Sequence, residues 1–142
     1  MTELLVHPRE PGADGTFLAV TPDSARWAYV GFEAVRLHPA AALTRQTGER
    51  EACIVVIEGT VTVSSSHGEW AGLGGRADPW SGPPDAAYLP PGTEFSVSGS
   101  GEIGICWAPA PRAAPRRGCC RARRSRSRRA GTARWNGPSI RS

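Results

Sequence analysis

Six consecutive residues, Ala52-Cys53-Ile54-Val55-Val56-Ile57, form an uncharged apolar run whose last four members are β-branched. Branched side chains lose rotamer freedom in a helix and pack well on a pleated surface, and the run is short for a buried helix. It reads as a strand buried on both faces, so the rest of the chain must supply cover on both sides. Glu58-Gly59 follows as a turn, and Thr60-Val61-Thr62-Val63-Ser64 alternates as a half-buried partner strand.

The same period recurs on either side. Thr16 to Val20 is a short β-prone run. From Trp27 to Leu37 the odd positions Trp27, Tyr29, Val35 and Leu37 are apolar, Glu33 interrupts that face, and Gly31 offers a bulge. The segment reads as one long bent strand. Leu43 to Gln46, Tyr88-Leu89 before Pro90-Pro91-Gly92, Phe95 to Val97 and Glu102 to Ala108 complete the set. Between Ser64 and Ala87 the chain is rich in Gly, Pro, Ser and Asp and reads as a loop, with Trp70 and Trp80 folding back as lids over the core. Ala40-Ala41-Ala42 follows Pro39 and is too short for a helix, and no amphipathic helix is expected. Many short strands separated by Gly/Pro turns imply an all-β sandwich or barrel.

The net charge of +4 averages two unlike segments. Residues 1–111 hold six arginines and all thirteen acidic residues, a balance of −7. Residues 112–142 hold eleven arginines and no acid, a balance of +11. That break sets the expected boundary between a body over 1–111, long enough to bury a core without staples, and an Arg-rich tail over 112–142. The tail has no hydrophobic period, and Trp135 and Ile140 are its only large apolar residues, so it is expected to be disordered.

No stretch approaches the ~18–20 apolar residues of a membrane span. Met1 to Glu10 carries Glu3 and no long apolar run, so it does not read as a signal peptide. A cytoplasmic protein without a membrane partner is expected. Cys53 and Cys106 sit in apolar runs and read as small buried hydrophobes, while Cys119 and Cys120 are adjacent, a poor geometry for bridging to each other.

Several short blocks fall in a specific order. Glu51 to Gly59 and Ala87-Tyr88-Leu89-Pro90-Pro91-Gly92-Thr93-Glu94-Phe95 look like the two turns of a cupin. Thr21-Pro22 with Trp27-Ala28-Tyr29-Val30-Gly31-Phe32-Glu33, then Thr47-Gly48-Glu49-Arg50-Glu51, then Gly74-Gly75-Arg76 with Trp80-Ser81-Gly82, resemble the N-terminal half of the 5-deoxy-glucuronate isomerase family. The resemblance runs from about Leu4 to about Pro109. It implies a cupin-type jelly-roll barrel, the first of two in tandem, and an aldose–ketose isomerisation of 5-deoxy-D-glucuronate to 5-dehydro-2-deoxy-D-gluconate in inositol catabolism. It also implies a small sugar-acid substrate and a divalent metal held by histidines and a glutamate of the second barrel. Assembly into a homo-oligomer through the barrels is a further implication.

The first barrel departs from a metal-binding cupin at every ligand slot. Counting back from Gly59 puts the glutamate slot on Ala52, one residue from Glu51, which a strand directs to the opposite face. The histidine slots fall on Gln46, Gly48 and, after Pro90-Pro91-Gly92, Phe95. The expectation is no catalytic, cofactor-binding or metal-binding residue in this chain. His7, His38 and His67 lack the i,i+2 or i,i+4 spacing of ligands and read as exposed loop residues. Glu49, Arg50 and Glu51 could face a substrate but read as a solvated rim turn, and Asp78 and Asp85 lie in a Pro/Gly loop with nothing to fix their separation as paired acids.

The tail begins where the family's linker to its second barrel would start. The expectation is therefore a shifted or truncated reading frame in a GC-rich gene, leaving an orphaned barrel that is inactive alone. Two alternatives come from other function classes. One is a metal-free cupin that binds a ligand or partner. The other is nucleic-acid binding by the arginines of 112–142, which would show steep salt dependence and is the less favoured.

Overall fold

The structure is a computed structural model and describes residues 5–110. Along these the elements are β1 (Thr16–Val20), the one-turn helix α1 (Pro22–Ala25), β2 (Gly31–Leu37), β3 (Leu43–Gln46), β4 (Arg50–Ser65), β5 (Gly68–Arg76), β6 (Ala86–Leu89) and β7 (Glu94–Pro109). The all-β expectation holds. The Arg-rich tail expected to be disordered lies outside the described residues.

Two 16-residue strands organise everything else. β4 and β7 pair antiparallel from Arg50↔Pro109 to Ser65↔Phe95. The first half of β4 is flanked by β6 and its second half by β5. The second half of β7 is flanked by β2, which pairs with β1, and its first half by β3. All seven strands thus share one sheet, folded so that β4 and β7 run through both layers, β1-β2-β7-β4-β6 and β3-β7-β4-β5.

The fold happens at a one-residue bulge. Val56 pairs with Ile103, but Glu58 pairs with Glu102, so Ile57 is the extra residue. Side chains alternate along a strand, and an inserted residue switches which parity faces the core. Ala52, Ile54 and Val56 point inward before the bulge, Val61 and Val63 after it. From β7, Phe95, Val97, Ile103, Ile105 and Trp107 meet them in one buried cluster with Val35, Leu37, Leu43, Leu73 and Leu89.

The bulge corrects three expectations. Glu58-Gly59 is a bend within β4 rather than a hairpin turn, so Thr60–Ser64 continues the strand. Ala52–Ile57 is buried on one face only, because Cys53, Val55 and Ile57 are half-buried on the outer face. Phe95–Val97 and Glu102–Ala108 are two ends of β7, bridged by Ser98–Gly101.

Other differences have local causes. Trp27–Val30 is not strand: Thr21 caps α1, taking the Ser24 N–H at 3.1 Å while Ser24 Oγ takes the Thr21 N–H at 2.9 Å, and Pro22 sits in the first turn. Trp27 and Tyr29 are consequently exposed, and β2 begins at Gly31. The expected 64–87 loop contains β5, whose glycines hid its period. Trp70 packs on the core, but Trp80 is 92% exposed and is not a lid. It sits on a turn held from below, where Arg76 donates to the carbonyls of Pro79 (3.1 Å), Gly82 (2.7 Å) and Val56 (3.1 Å).

Candidate functional site

Ligand sites of β-barrels lie in their mouths, so the side chains that β2, β3, β4 and β7 send to one end define the candidate site. Inward alternation places Glu33 on β2 opposite Ile105, Arg45 on β3 opposite Phe95, and Trp107 on β7 opposite Ala52. The Trp107 indole donates to Glu33 Oε1 at 3.0 Å. Arg45 donates to Glu33 Oε2 at 3.5 Å and also to Asp14, joining the two layers through one guanidinium. Asp14 in turn accepts the Thr16 N–H at 3.0 Å. The Trp107 ring lies 6.2 Å from that of Phe95, and the Arg50 guanidinium stands 4.4 Å above the indole.

The electrostatics follow from these contacts. The Thr16 backbone N–H, and next the Arg45 guanidinium, hold the Asp14 carboxyl at about 2, below its ordinary 3.8. Trp107 is 2% exposed, so its N–H needs an acceptor inside the protein, and Glu33 is that acceptor. The arrangement is a hydrogen-bonded plug that ties β2, β3, β7 and the segment before β1 together at this end.

The four ligand slots differ in burial. Ala52 and Phe95 are core residues, each 1% exposed, while Gln46 and Gly48 are exposed at the end of β3 and in the turn after it. None offers a donor directed to a common point, and hard or borderline cations need three or more oxygen or nitrogen donors around one centre. Among the described residues no group of three or more His, Cys, Asp or Glu side chains could hold a metal ion. The residues present do not fit a cupin metal.

The other singled-out residues are dispersed. His7, His38 and His67 are each exposed, on the N-terminal segment, between β2 and β3, and at the β4–β5 turn. Arg50 goes to the Trp107 face, whereas Glu51 turns outward and accepts the Tyr88 hydroxyl at 2.6 Å, so Arg50 and Glu51 diverge. Asp78 accepts from Ser81 Oγ at 2.8 Å and from the Trp80 N–H at 2.7 Å, and those bonds hold its carboxyl below the usual range. Asp85 accepts the Gly74 N–H at 2.8 Å. Each acid closes its own loop, and they do not act as a pair. A surface cavity lined by Asp14, Gly15, Arg36, His38 and Leu43 measures about 70 Å³. Small-molecule sites need roughly 300–1,000 Å³.

Sequence reasoning missed the Asp14–Arg45–Glu33–Trp107 chain. One signal was present: Glu33 breaks the apolar face of its strand, and a charge on an inward position calls for a partner.

Two of the blocks that carry the resemblance meet in space. The Thr47 turn is sewn to the Pro90–Thr93 turn, with Thr47 N–H to Thr93 O at 2.9 Å, Thr93 N–H to Thr47 Oγ1 at 2.8 Å and Gly92 N–H to Gly48 O at 2.8 Å. Arg76 ties the Gly74-Gly75-Arg76 block to Gly82.

Comparison with known proteins agrees. The KduI/IolB family model matches residues 4–142. The 5-deoxy-glucuronate isomerase of Geobacillus thermodenitrificans is 32% identical over 112 residues, covering 77% of this chain and 41% of that protein. The enzyme of the same name from Shouchella clausii is 36% identical over 90 residues, 61% of this chain and 33% of the relative. Among solved structures, an IolB-like protein from Salmonella typhimurium superposes with a TM-score of 0.66 at 31% identity, over 71% of this chain and 40% of that one. Bacillus subtilis oxalate decarboxylase, at 19% identity and a TM-score of 0.53 over 75% of this chain and 28% of its own, shares the fold alone. The chain thus spans 33–41% of the length of the two isomerases and the IolB-like protein. A family model that matches residues 4–142, and relatives above 30% identity that share the barrel fold, place the chain in the KduI/IolB family.

Proposed function

We propose that this chain is the first, structural barrel of a cytoplasmic isomerase that converts 5-deoxy-D-glucuronate to 5-dehydro-2-deoxy-D-gluconate in inositol catabolism. The observation that carries the reading is the pairing of family membership with cupin ligand slots that hold no histidine or glutamate. The family model matches residues 4–142, while the cupin ligand slots hold Gln46, Gly48, Ala52 and Phe95. An aldose–ketose isomerisation moves a proton between adjacent carbons through an enediol and needs a positioned base with an electrophile at the carbonyl. Glu33 accepts from Trp107 and Arg45, and on this reading it braces the barrel end rather than serving a substrate. The divalent metal and the base then belong to a second barrel, for which this one is the scaffold, and the chain is inactive alone.

The test is to assay the purified chain by proton NMR of 5-deoxy-D-glucuronate in D2O. The assay is run with the chain alone and after mixing with the separately expressed C-terminal portion of the Geobacillus relative. Deuterium incorporation and ketose formation are expected only in the mixture. Turnover by the chain alone would overturn the structural-barrel reading. A second reading rests on the charge break, eleven arginines and no acid over 112–142: affinity for RNA with a steep salt slope would support it.

A further inference from the structure

The outer face of the β1-β2-β7-β4-β6 layer carries a feature that the isomerase reading does not use. Cys53 on β4 stands directly opposite Cys106 on β7. Their chain neighbours Ala52, Ile54, Ile105 and Trp107 are buried in the core, so both thiols point outward, Cys53 half-buried and Cys106 exposed. The same row continues sideways to Tyr88, opposite Cys53, and to Phe32, opposite Cys106. Tyr88 reaches the outward Glu51, and the Phe32 ring lies over outward-facing Gly104. Two thiols therefore sit side by side between two aromatic residues on an open sheet face.

The register fixes what can join them. The Ala110 N–H bonds Glu49 O, and the Val56 N–H bonds Asp85 O on the opposite side of β4. Alternation then makes Cys53↔Cys106 a hydrogen-bonded pair, whose Cα atoms stand ~5.5 Å apart with Cβ atoms at the wide end of ~4.5–5.5 Å. A disulfide wants its Cβ atoms ~3.5–4.5 Å apart. Inserting one atom between the sulfurs, with bonds of ~2.3 Å to each, lengthens the bridge enough to fit without moving the strands.

We propose that Cys53 and Cys106 form a dithiol site that takes one thiophilic atom of the trivalent-arsenic class as a bridge between the two sulfurs. With a monosubstituted arsenic(III) oxide the step balances without oxidation. Two S–H bonds and the As=O bond are lost, two As–S bonds form, and one water leaves. Burial, and next the neighbouring Cys106, push the Cys53 thiol up, which keeps Cys53 in the protonated S–H form that this step consumes.

The test uses the full chain carrying Cys119→Ser and Cys120→Ser, so that the tail thiols do not contribute, with phenylarsine oxide as the probe. Intact-mass analysis is expected to show one phenylarsenic group per chain and loss of both reactive thiols. Cys106 should then resist alkylation until a small dithiol strips the arsenic. Cys53→Ala and Cys106→Ala, each checked for an unchanged circular dichroism spectrum, should each weaken retention of the probe at least tenfold. In Cys53→Ala the remaining Cys106 should stay open to alkylation after arsenical treatment. Equal retention by either single variant, or no adduct on the folded parent, would overturn the proposal. Isomerase activity is not a readout here, so this result stands apart from the test of function.

Discussion

Gly59 and Gly101 face each other across β4 and β7 so closely that neither can carry a side chain. A Cβ on Gly59 would lie 2.1 Å from Ser100 O and 2.7 Å from Gly101 Cα, and one on Gly101 would lie 2.2 Å from Glu58 O. Both have positive φ, 81° and 133°. They mark the place where the two long strands fold from one layer into the other.

Gly59→Ala and Gly101→Ala should therefore be among the most destabilising single substitutions in the body. Each meets backbone atoms, which cannot yield as a flexible side chain would, in addition to the left-handed strain of ~1–2 kcal/mol. We expect a loss of about 3 kcal/mol or more from each in urea melts. Gly48→Ala is the control: its φ is 59°, but an added Cβ meets nothing within 4 Å, so the strain alone should appear. Equal losses at Gly48 and Gly59 would show that the close approach is not what holds the corner.

Breaking the plug should leave a buried donor orphaned. Glu33→Leu removes the acceptor of the Trp107 indole and one carboxylate facing Arg45, and an unsatisfied buried donor costs about 1–3 kcal/mol. Glu33→Gln keeps an oxygen for the indole but places an amide near the guanidinium, so it should fall between Glu33→Leu and wild type. The Trp107 indole resonance in a nitrogen–proton correlation spectrum reads this directly. It should shift far in Glu33→Leu and little in Glu33→Gln.

Asp14 gives a pH signature. Its folded value of about 2 lies below the ordinary 3.8, so its ionised form is favoured by folding. That stability is fully present above about pH 4 and is lost as pH falls toward 2. The side chain is 43% exposed, so solvent screening keeps the contribution below about 1 kcal/mol. Asp14→Asn should lower the melting temperature at pH 7 by a small amount, and the gap from wild type should close between pH 4 and pH 2. A gap that persists at pH 2 would mean the asparagine disrupts the Thr16 turn itself.

Strand identity was legible wherever a β-prone run is bounded by turn residues. Thr16–Val20 and Leu43–Gln46 are β1 and β3 to the residue, because local β-propensity and turn residues coincide there. Continuity was not legible. Gly59 reads locally as a turn, and only its pairing with Gly101 reveals a bend inside a strand. β5 was hidden because Gly68, Gly72, Gly74 and Gly75 carry no side chain to display a period. At the candidate site, the identities at the four ligand slots could be read from spacing. The plug could not, because Asp14, Glu33, Arg45 and Trp107 come from four separate segments and only tertiary pairing joins them.

The Thr47–Thr93 stitch tests whether the family's motif blocks are structural. Thr47 and Thr93 are the two buried polar residues of the described body, 2% and 1% exposed. Thr47 Oγ1 accepts the Thr93 N–H at 2.8 Å and stands 3.0 Å from Pro90 O, to which Thr93 Oγ1 donates at 2.7 Å. Thr47→Val keeps the shape and removes the acceptor, so the Thr93 N–H is left buried without it. Thr47→Ser keeps the hydroxyl and loses only a methyl group. Thr47→Val should cost about 1–3 kcal/mol and Thr47→Ser about 1 kcal/mol, reversing what loss of apolar area alone would give. Hydrogen exchange at the Thr93 amide should accelerate at least tenfold in Thr47→Val and stay slow in Thr47→Ser. If both variants behave alike, the block is held by packing, and the hydroxyl contributes nothing to joining the two turns.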